Sequence, residues 1–280
     1  MVMSVRQGNC AVTSTPSTAL LLVRARDLDD SVNEWTFLGL SAHGDPFFAR
    51  HLDGDESPSV DLPLDLPGDV EWATLREVGH RLDDVHAGLA VGAVALDNWR
   101  RATRRCPSCG DPLVVSSAGW SQRCTAEGIE HFPRTEPAVI VLIRDAEDRA
   151  LLGRQGAWQP TWFSTFAGFV EAGESAEAAL RREVLEETGI VIDPHPEAIV
   201  YLGSQPWPFP ASLMLGYHAW TSDPQVQVDE TEIAEAHWFT RAELLRACEA
   251  RTVQLPPAVS ISRKLIERWY GEPLPGHWLR

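Results

Sequence analysis

The chain has 280 residues, 44% of them hydrophobic, enough for the cores of two or three modest domains, and no apolar run reaches the ~18 residues that a membrane span requires. Its 24 Lys and Arg face 40 Asp and Glu for a formal charge of −16, which weighs against a general nucleic-acid binder, because phosphate contacts need cations. A polyanionic substrate would therefore need local arginines or divalent metal ions. Five cysteines, three of them clustered, argue against a disulfide framework and for a metal site in a reducing, cytoplasmic compartment; Cys10 and Cys248 stand alone.

Residues 1–100 read as a separate α/β domain. The apolar stretch near the N-terminus is followed at once by Arg24 and Arg26, without a small-residue cleavage site, and reads as a strand rather than a signal peptide. Residues 19–23 and 35–40 have strand character, residues 53–70 form an acidic, Pro-rich loop, and Leu82, Val85, Leu89, Val94 and Leu96 keep roughly helical spacing. His43, His51, His80 and His86 are scattered and read as surface or packing histidines.

Residues 101–133 are short, basic and Cys-containing. Cys106-Pro-Ser-Cys109-Gly has the form of half a zinc knuckle, and Cys124 follows after fourteen residues. A fourth cysteine is expected at position 127, where Glu127 stands. Three arrangements are open: Cys₃His with His131, Cys₃ with Glu127, or a ribbon that folds without zinc. Such a zinc would be structural. Arg100, Arg101, Arg104, Arg105 and Arg123 give this region a local basic patch.

From residue 134 to 280 the pattern changes to strands, a Gly-rich loop and one strong helix. Residues 139–143 are a continuous β-branched run, as in a buried strand. In GFVEAGESAEAALRREVLEETGI, Ser175 is a good N-cap, Glu177 favours the helix dipole, and Gly189 sits where a helix stops, so a helix is predicted over residues 176–188. Glu183, Glu186 and Glu187 stand at i, i+3 and i+4 and share a face. Like charges so placed repel unless a cation sits against them, and an oxygen-only cluster suits Mg²⁺ or Mn²⁺. Arg182 beside them is suited to hold a carboxylate through a bidentate pair.

The full spacing is Gly168, five residues, Glu174, seven residues, Arg182-Glu183, two residues, Glu186-Glu187, one residue, Gly189, with aliphatic Val184 and Ile190. Seven fixed positions at typical residue usage match by chance about once in 10⁸ start sites. The segment resembles the Nudix box without a departure. Downstream, Ser204-Gln205-Pro206-Trp207-Pro208-Phe209-Pro210-Ala211-Ser212 is similar to the motif that marks NADH pyrophosphatases within that family. Its prolines cannot belong to a regular central strand, because each removes a ladder donor. The segment LPPAVSISRKLIERW near the C-terminus also resembles that subfamily.

The resemblance implies an α+β Nudix fold, a mixed sheet sandwiched by helices, with a divergent N-terminal α/β domain and a small zinc-ribbon insert. It implies Glu183, Glu186 and Glu187 as catalytic metal ligands, Glu187 the most sensitive, with Glu174 and Arg182 in support. Glu232 is implied as a further ligand, although Asp229, Glu230 and Glu235 crowd the choice. Phe169 and Phe132 fall where the family flanks the nicotinamide ring, and Gln205, Ser204, Trp207 and Ser212 are candidate substrate contacts. The implied reaction is metal-dependent hydrolysis of NADH or NAD⁺ to NMNH or NMN plus AMP, by a homodimer and with no membrane. The same chemistry on the NAD cap of an RNA 5′ end is a second expectation. A non-catalytic, nucleotide-binding adaptor is a third; a missing box carboxylate would favour it, and none is missing.

Overall fold

The computed structural model describes residues 1–14, 17–28, 34–52, 69–229 and 231–278. Most of the expected acidic loop, residues 53–68, and Glu230 lie outside the described residues. The chain divides into two compact units: residues 1–135 with 207–211, and residues 136–206 with 212–280.

The first unit begins with β1 (Val2–Arg6) and β2 (Asn9–Thr13), joined at Gln7-Gly8. Both turn residues have positive φ, +49° and +75°, which matches the twist of a two-residue hairpin. Then come β3 (Ala19–Leu20), β4 (Glu34–Leu40), β5 (Pro46–His51), β6 (Val70–Thr74), the short α1 (Leu75–Val78) and α2 (Asp84–Ala102). The strands form one sheet of order β3-β2-β1-β5-β4, with β6 on β2. Helix α2 buries Ala90, Ala93 and Val94 against Met3, Val5, Cys10 and Val12 of that sheet. The expected strand over residues 19–23 shortens to two residues, with Val23 in an isolated bridge to Val2.

A three-stranded sheet follows in the same unit: β7 (Leu113–Ser116), β8 (Ser121–Cys124) and β9 (Glu130–His131). The boundary expected at residue 100 falls inside α2. The reason is Arg100. It is buried, donates to Thr36 Oγ1 and Gly119 O at 2.7 Å each, and thereby ties α2, β4 and the ribbon together. Arg100 is therefore not part of a surface basic patch. Trp120 adds a bond from its indole N–H to Phe37 O at 2.7 Å. Of the scattered histidines, His51 is buried between Thr36 (2.9 Å) and Asp97 (3.3 Å), a packing role.

The second unit contains β10 (Glu136–Asp145), β11 (Ala150–Gln155), β12 (Phe166–Phe169), α3 (Ala176–Thr188), β13 (Ile199–Trp207, its last residue grouped with the first unit), β14 (Ser212–Thr221), β15 (Ile233–Phe239), α4 (Arg241–Glu249) and α5 (Ile261–Tyr270). The sheet order is β13-β14-β10-β11-β15. Strand β10 pairs in parallel with β14 from Glu136↔Ser212 to Asp145↔Thr221. On its other side β12 takes the first half of β10 and β11 the second half, both antiparallel. Alternate residues of β10 feed two cores. Val139, Val141 and Ile143 pack with Leu180 and Val184 of α3, while Ile140 and Leu142 pack with Leu265 and Ile266 of α5. Strand β13 is an outer strand, and there Pro206 costs no ladder bond that a neighbour needs.

Candidate active site and ribbon metal site

Helix α3 forms as its sequence requires. Ser175 Oγ accepts the Ala178 amide at 3.2 Å, and Gly189 ends the helix with φ +71°. The box glycine has a steric role. A Cβ on Gly168 would lie 1.9 Å from Cδ of Glu183 and 2.1–2.2 Å from its oxygens, so only glycine lets that carboxylate lie against β12.

Arg182 organises the acids. Its Nε and Nη2 each donate to Glu174 at 2.8 Å, Nη2 also reaches Phe169 O at 2.9 Å, and Nη1 donates to Glu183 at 2.7 Å and Glu186 at 3.0 Å. The guanidinium, with the Glu171 amide, holds the Glu174 carboxyl down at about 2. Glu174 and Arg182 thus lock the loop before the helix to two of the helix's own carboxylates.

Glu187 is different. Its side chain is buried, and its Oε2 has no hydrogen-bond partner. Burial pushes its pKa up to about 8, with the charges of Glu183, Glu232 and Glu186 adding to the rise and a bond from the Ala167 amide opposing it. A buried carboxylate oxygen without a donor, facing three other carboxylates, is unfavourable unless a cation arrives. The donor set is all oxygen and fits a hard divalent ion.

Glu232 is brought to this cluster by its backbone. The Gln227 and Asp229 amides donate to Thr188 O (2.8 Å) and Glu187 O (3.2 Å), laying the segment along the end of α3. The neighbouring acids are otherwise engaged: Asp229 accepts from Thr231 at 2.8 and 2.9 Å, and Glu235 from Arg154 at 2.6 Å and His237 at 3.0 Å. Phe169 and Phe132 are 51% and 66% exposed, so neither ring is core packing.

The proline motif is divided by the fold. Ser204, Gln205 and Pro206 line a cleft in the second unit. Gln205 also bridges the chain there, its amide donating to Val259 O and its Oε1 accepting from Ile261 N, both at 2.8 Å. Trp207 belongs with the first unit, where Arg76 lies 5.1 Å from its ring and 4.2 Å from that of Phe209. Asn98 donates to Pro208 O at 2.8 Å. Ser212 is buried at the start of β14. The aromatic pair of Trp207 and Phe209 thus takes its cationic partner, Arg76, from the first unit.

In the ribbon, one donor atom from each of Cys106, Cys109, Cys124 and Glu127 lies within 4.8 Å of the others. The two turns are built alike. Gly110 N donates to Cys106 O (2.9 Å) and Gly128 N to Cys124 O (3.0 Å), with φ +83° and +71°. Glu127 therefore occupies in the second turn the place of Cys109 in the first. His131 Nε2 lies 3.5 Å from Cys106 Sγ, outside that group of four. Three sulfurs and a carboxylate are an acceptable zinc set. Cys124-Thr-Ala-Glu127-Gly repeats the spacing of Cys106-Pro-Ser-Cys109-Gly.

Comparison with known proteins gives three family matches. Residues 134–268 match the NUDIX domain, residues 101–132 the NADH pyrophosphatase zinc ribbon domain, and residues 2–99 the NADH pyrophosphatase-like rudimentary NUDIX domain. The NAD-capped RNA hydrolase NudC of Stutzerimonas stutzeri is 38% identical over 231 residues, 80% of this chain and 79% of that protein. The protein of the same name from Mycobacterium tuberculosis H37Rv is 44% identical over 214 residues, 73% of this chain. The chain spans 66% of the length of that mycobacterial relative. The NAD-capped RNA hydrolase NUDT12 of Pongo abelii is 31% identical over 256 residues, 87% of this chain and 52% of that protein.

Proposed function

The chain belongs to the NADH pyrophosphatase group of the NUDIX family, and from that premise we propose that it hydrolyses the pyrophosphate bond of NADH or NAD⁺, giving NMNH or NMN and AMP. The observation that carries the reading is Glu187, whose buried oxygen has no partner and whose carboxyl feels the charges of Glu183, Glu232 and Glu186. Those four glutamates would hold Mg²⁺ or Mn²⁺. Bound there, the ion supplies charge neutralisation at the phosphorus centre and an activated water.

The chain's own groups do the rest. Arg182 holds Glu183 and Glu186 in place and keeps the loop bearing Glu174 against the helix. Glu187 supplies the oxygen that no other residue satisfies, and is the group best placed to take a proton. The ring of Phe169 offers a flat apolar face for the nicotinamide or adenine ring, and Phe132 is a second candidate on the family resemblance alone. Ser204 and Gln205, with Trp207 and Ser212, are further candidate contacts of the dinucleotide. Domain limits near residues 100 and 133 go with this reading. So do a structural zinc on Cys106, Cys109, Cys124 and Glu127, a homodimeric working state, and a reducing compartment, in keeping with five free cysteines. Among the described residues no helix is long and apolar enough to cross a membrane.

The test is incubation with NADH and either Mg²⁺ or Mn²⁺, with AMP as the readout; release of AMP is expected, and its absence with both metals defeats the reading. The names of the relatives favour a second substrate, the NAD cap of RNA, cut by the same chemistry. Comparing catalytic efficiency on NADH, NAD⁺ and NAD-capped RNA ranks the two.

A further inference from the structure

The second unit carries a cleft of about 590 Å³ between β13 and α5. Among its lining residues Ile261 and Leu265 are buried and form an apolar floor, while Leu202, Ser204, Lys264 and Arg268 are exposed at its rim. Lys264 and Arg268 stand four residues apart on α5, hence on one helix face. Lys264 is the only lysine in a chain with 23 arginines. Both side chains are exposed, and among the described residues neither has an ion pair or hydrogen bond. The nearest acid on the helix is taken: Glu267 Oε1 accepts from Arg263 Nε at 2.6 Å and from Leu274 N at 2.9 Å.

Two uncompensated cations on one cleft are notable in a chain of charge −16, whose field repels any polyanion. Part of the basic patch read from the sequence is otherwise engaged. Arg100 is buried, Arg105 donates to Gly110 O at 3.0 Å, and Arg101 lies 4.0 Å from Asp97. An apolar floor with a cationic rim suits a nucleotide, its base or ribose on the floor and its phosphate at the rim. A cleft of this volume is of nucleotide size.

We propose that the β13–α5 cleft binds the phosphodiester chain of an RNA whose capped end occupies the active site, with Lys264 and Arg268 as phosphate ligands. This rests on the reading above that Ser204 and Gln205 touch the dinucleotide, because both also line this cleft. It assigns recognition of the RNA body to α5.

The test separates binding from turnover. A short, uncapped, fluorescently labelled single-stranded RNA is titrated with the full-length protein at several salt concentrations, using the wild type and the Lys264→Glu/Arg268→Glu double variant. Wild-type binding is expected to weaken with salt, and the variant to lose about 0.7 in log–log salt slope for each phosphate contact removed. KM for NAD-capped RNA is expected to rise about tenfold in the variant, while that for NAD⁺ changes less than twofold and the thermal midpoint is retained. An unchanged affinity and slope in the variant, or no oligonucleotide binding by the wild type, would overturn the proposal. Displacement of the oligonucleotide by an equal concentration of AMP would overturn the chain assignment, because one nucleotide would then suffice. If no AMP forms from NADH, the catalytic reading fails, and the titration still decides this one.

Discussion

Gly168 and Glu183 share one space: a side chain at residue 168 would occupy the volume that the Glu183 carboxylate fills, with 1.9 Å between the added carbon and Cδ. The box glycine is therefore a condition for the position of a metal-binding carboxylate. Gly168→Ala is expected to move Glu183 by about 1 Å or more, and to lower kcat/KM for NADH about 100-fold while changing stability little. Steady-state kinetics beside a thermal melt check this; a fully active alanine variant would contradict it.

Arg182 touches Glu174, Glu183, Glu186 and Phe169 O at once, which a lysine's single ammonium cannot reproduce. Arg182→Lys is expected to raise the Mg²⁺ concentration for half-maximal activity about 10- to 100-fold. A metal titration of activity gives the answer.

Glu187→Gln is expected to abolish turnover and leave the fold intact. It also has a pH signature in metal-free protein. The folded pKa, about 8, lies above the ordinary 4.5, so between those values the unfolded chain has lost a proton that the folded one keeps. The contribution of Glu187 to stability is full below about pH 4.5 and is lost as pH rises through about 8. In chelator, the thermal midpoint of the wild type should fall over this window more than that of Glu187→Gln. Equal pH slopes in the two proteins would contradict the assignment.

In the ribbon, Glu127 completes the set of close donors and His131 does not. Glu127→Ala is expected to lower zinc retained through purification to well below one equivalent, Glu127→Cys to hold zinc more tightly than wild type, and His131→Ala to keep it. Metal analysis and competition with a chromophoric chelator read all three. Loss of zinc in His131→Ala alone would return the histidine to the set.

Phe169 is half exposed, as a stacking platform must be. Phe169→Ala is expected to raise KM for NADH about tenfold, the scale of one stacked base, with a smaller effect on kcat. An unchanged KM would leave the ring without a part in binding.

How much of this was legible depended on the range of the interaction. Helix α3 was readable to the residue, because Ser175, Gly189 and the residues between them act on their own backbone. The strand of residues 139–143 was readable because both its faces are buried, although pairing extends it to Glu136–Asp145. Strand β12 was not, because four residues carry no period and only their pairing with β10 defines them. The burial of Arg100 was also illegible: its partners Thr36 and Gly119 are 64 and 19 residues away.

The sequence by itself determined the box, its carboxylates, the zinc-ribbon turn and the family, since each is a short pattern whose chemistry depends on residue type and spacing. Only the tertiary structure decided which carboxylate lacks a partner, that Glu127 joins the three cysteines, that Trp207 goes with the first unit, and that Lys264 and Arg268 face one cleft. Each of these is set by the approach of segments distant along the chain, and a carboxylate or cation takes its free energy from what surrounds it after packing.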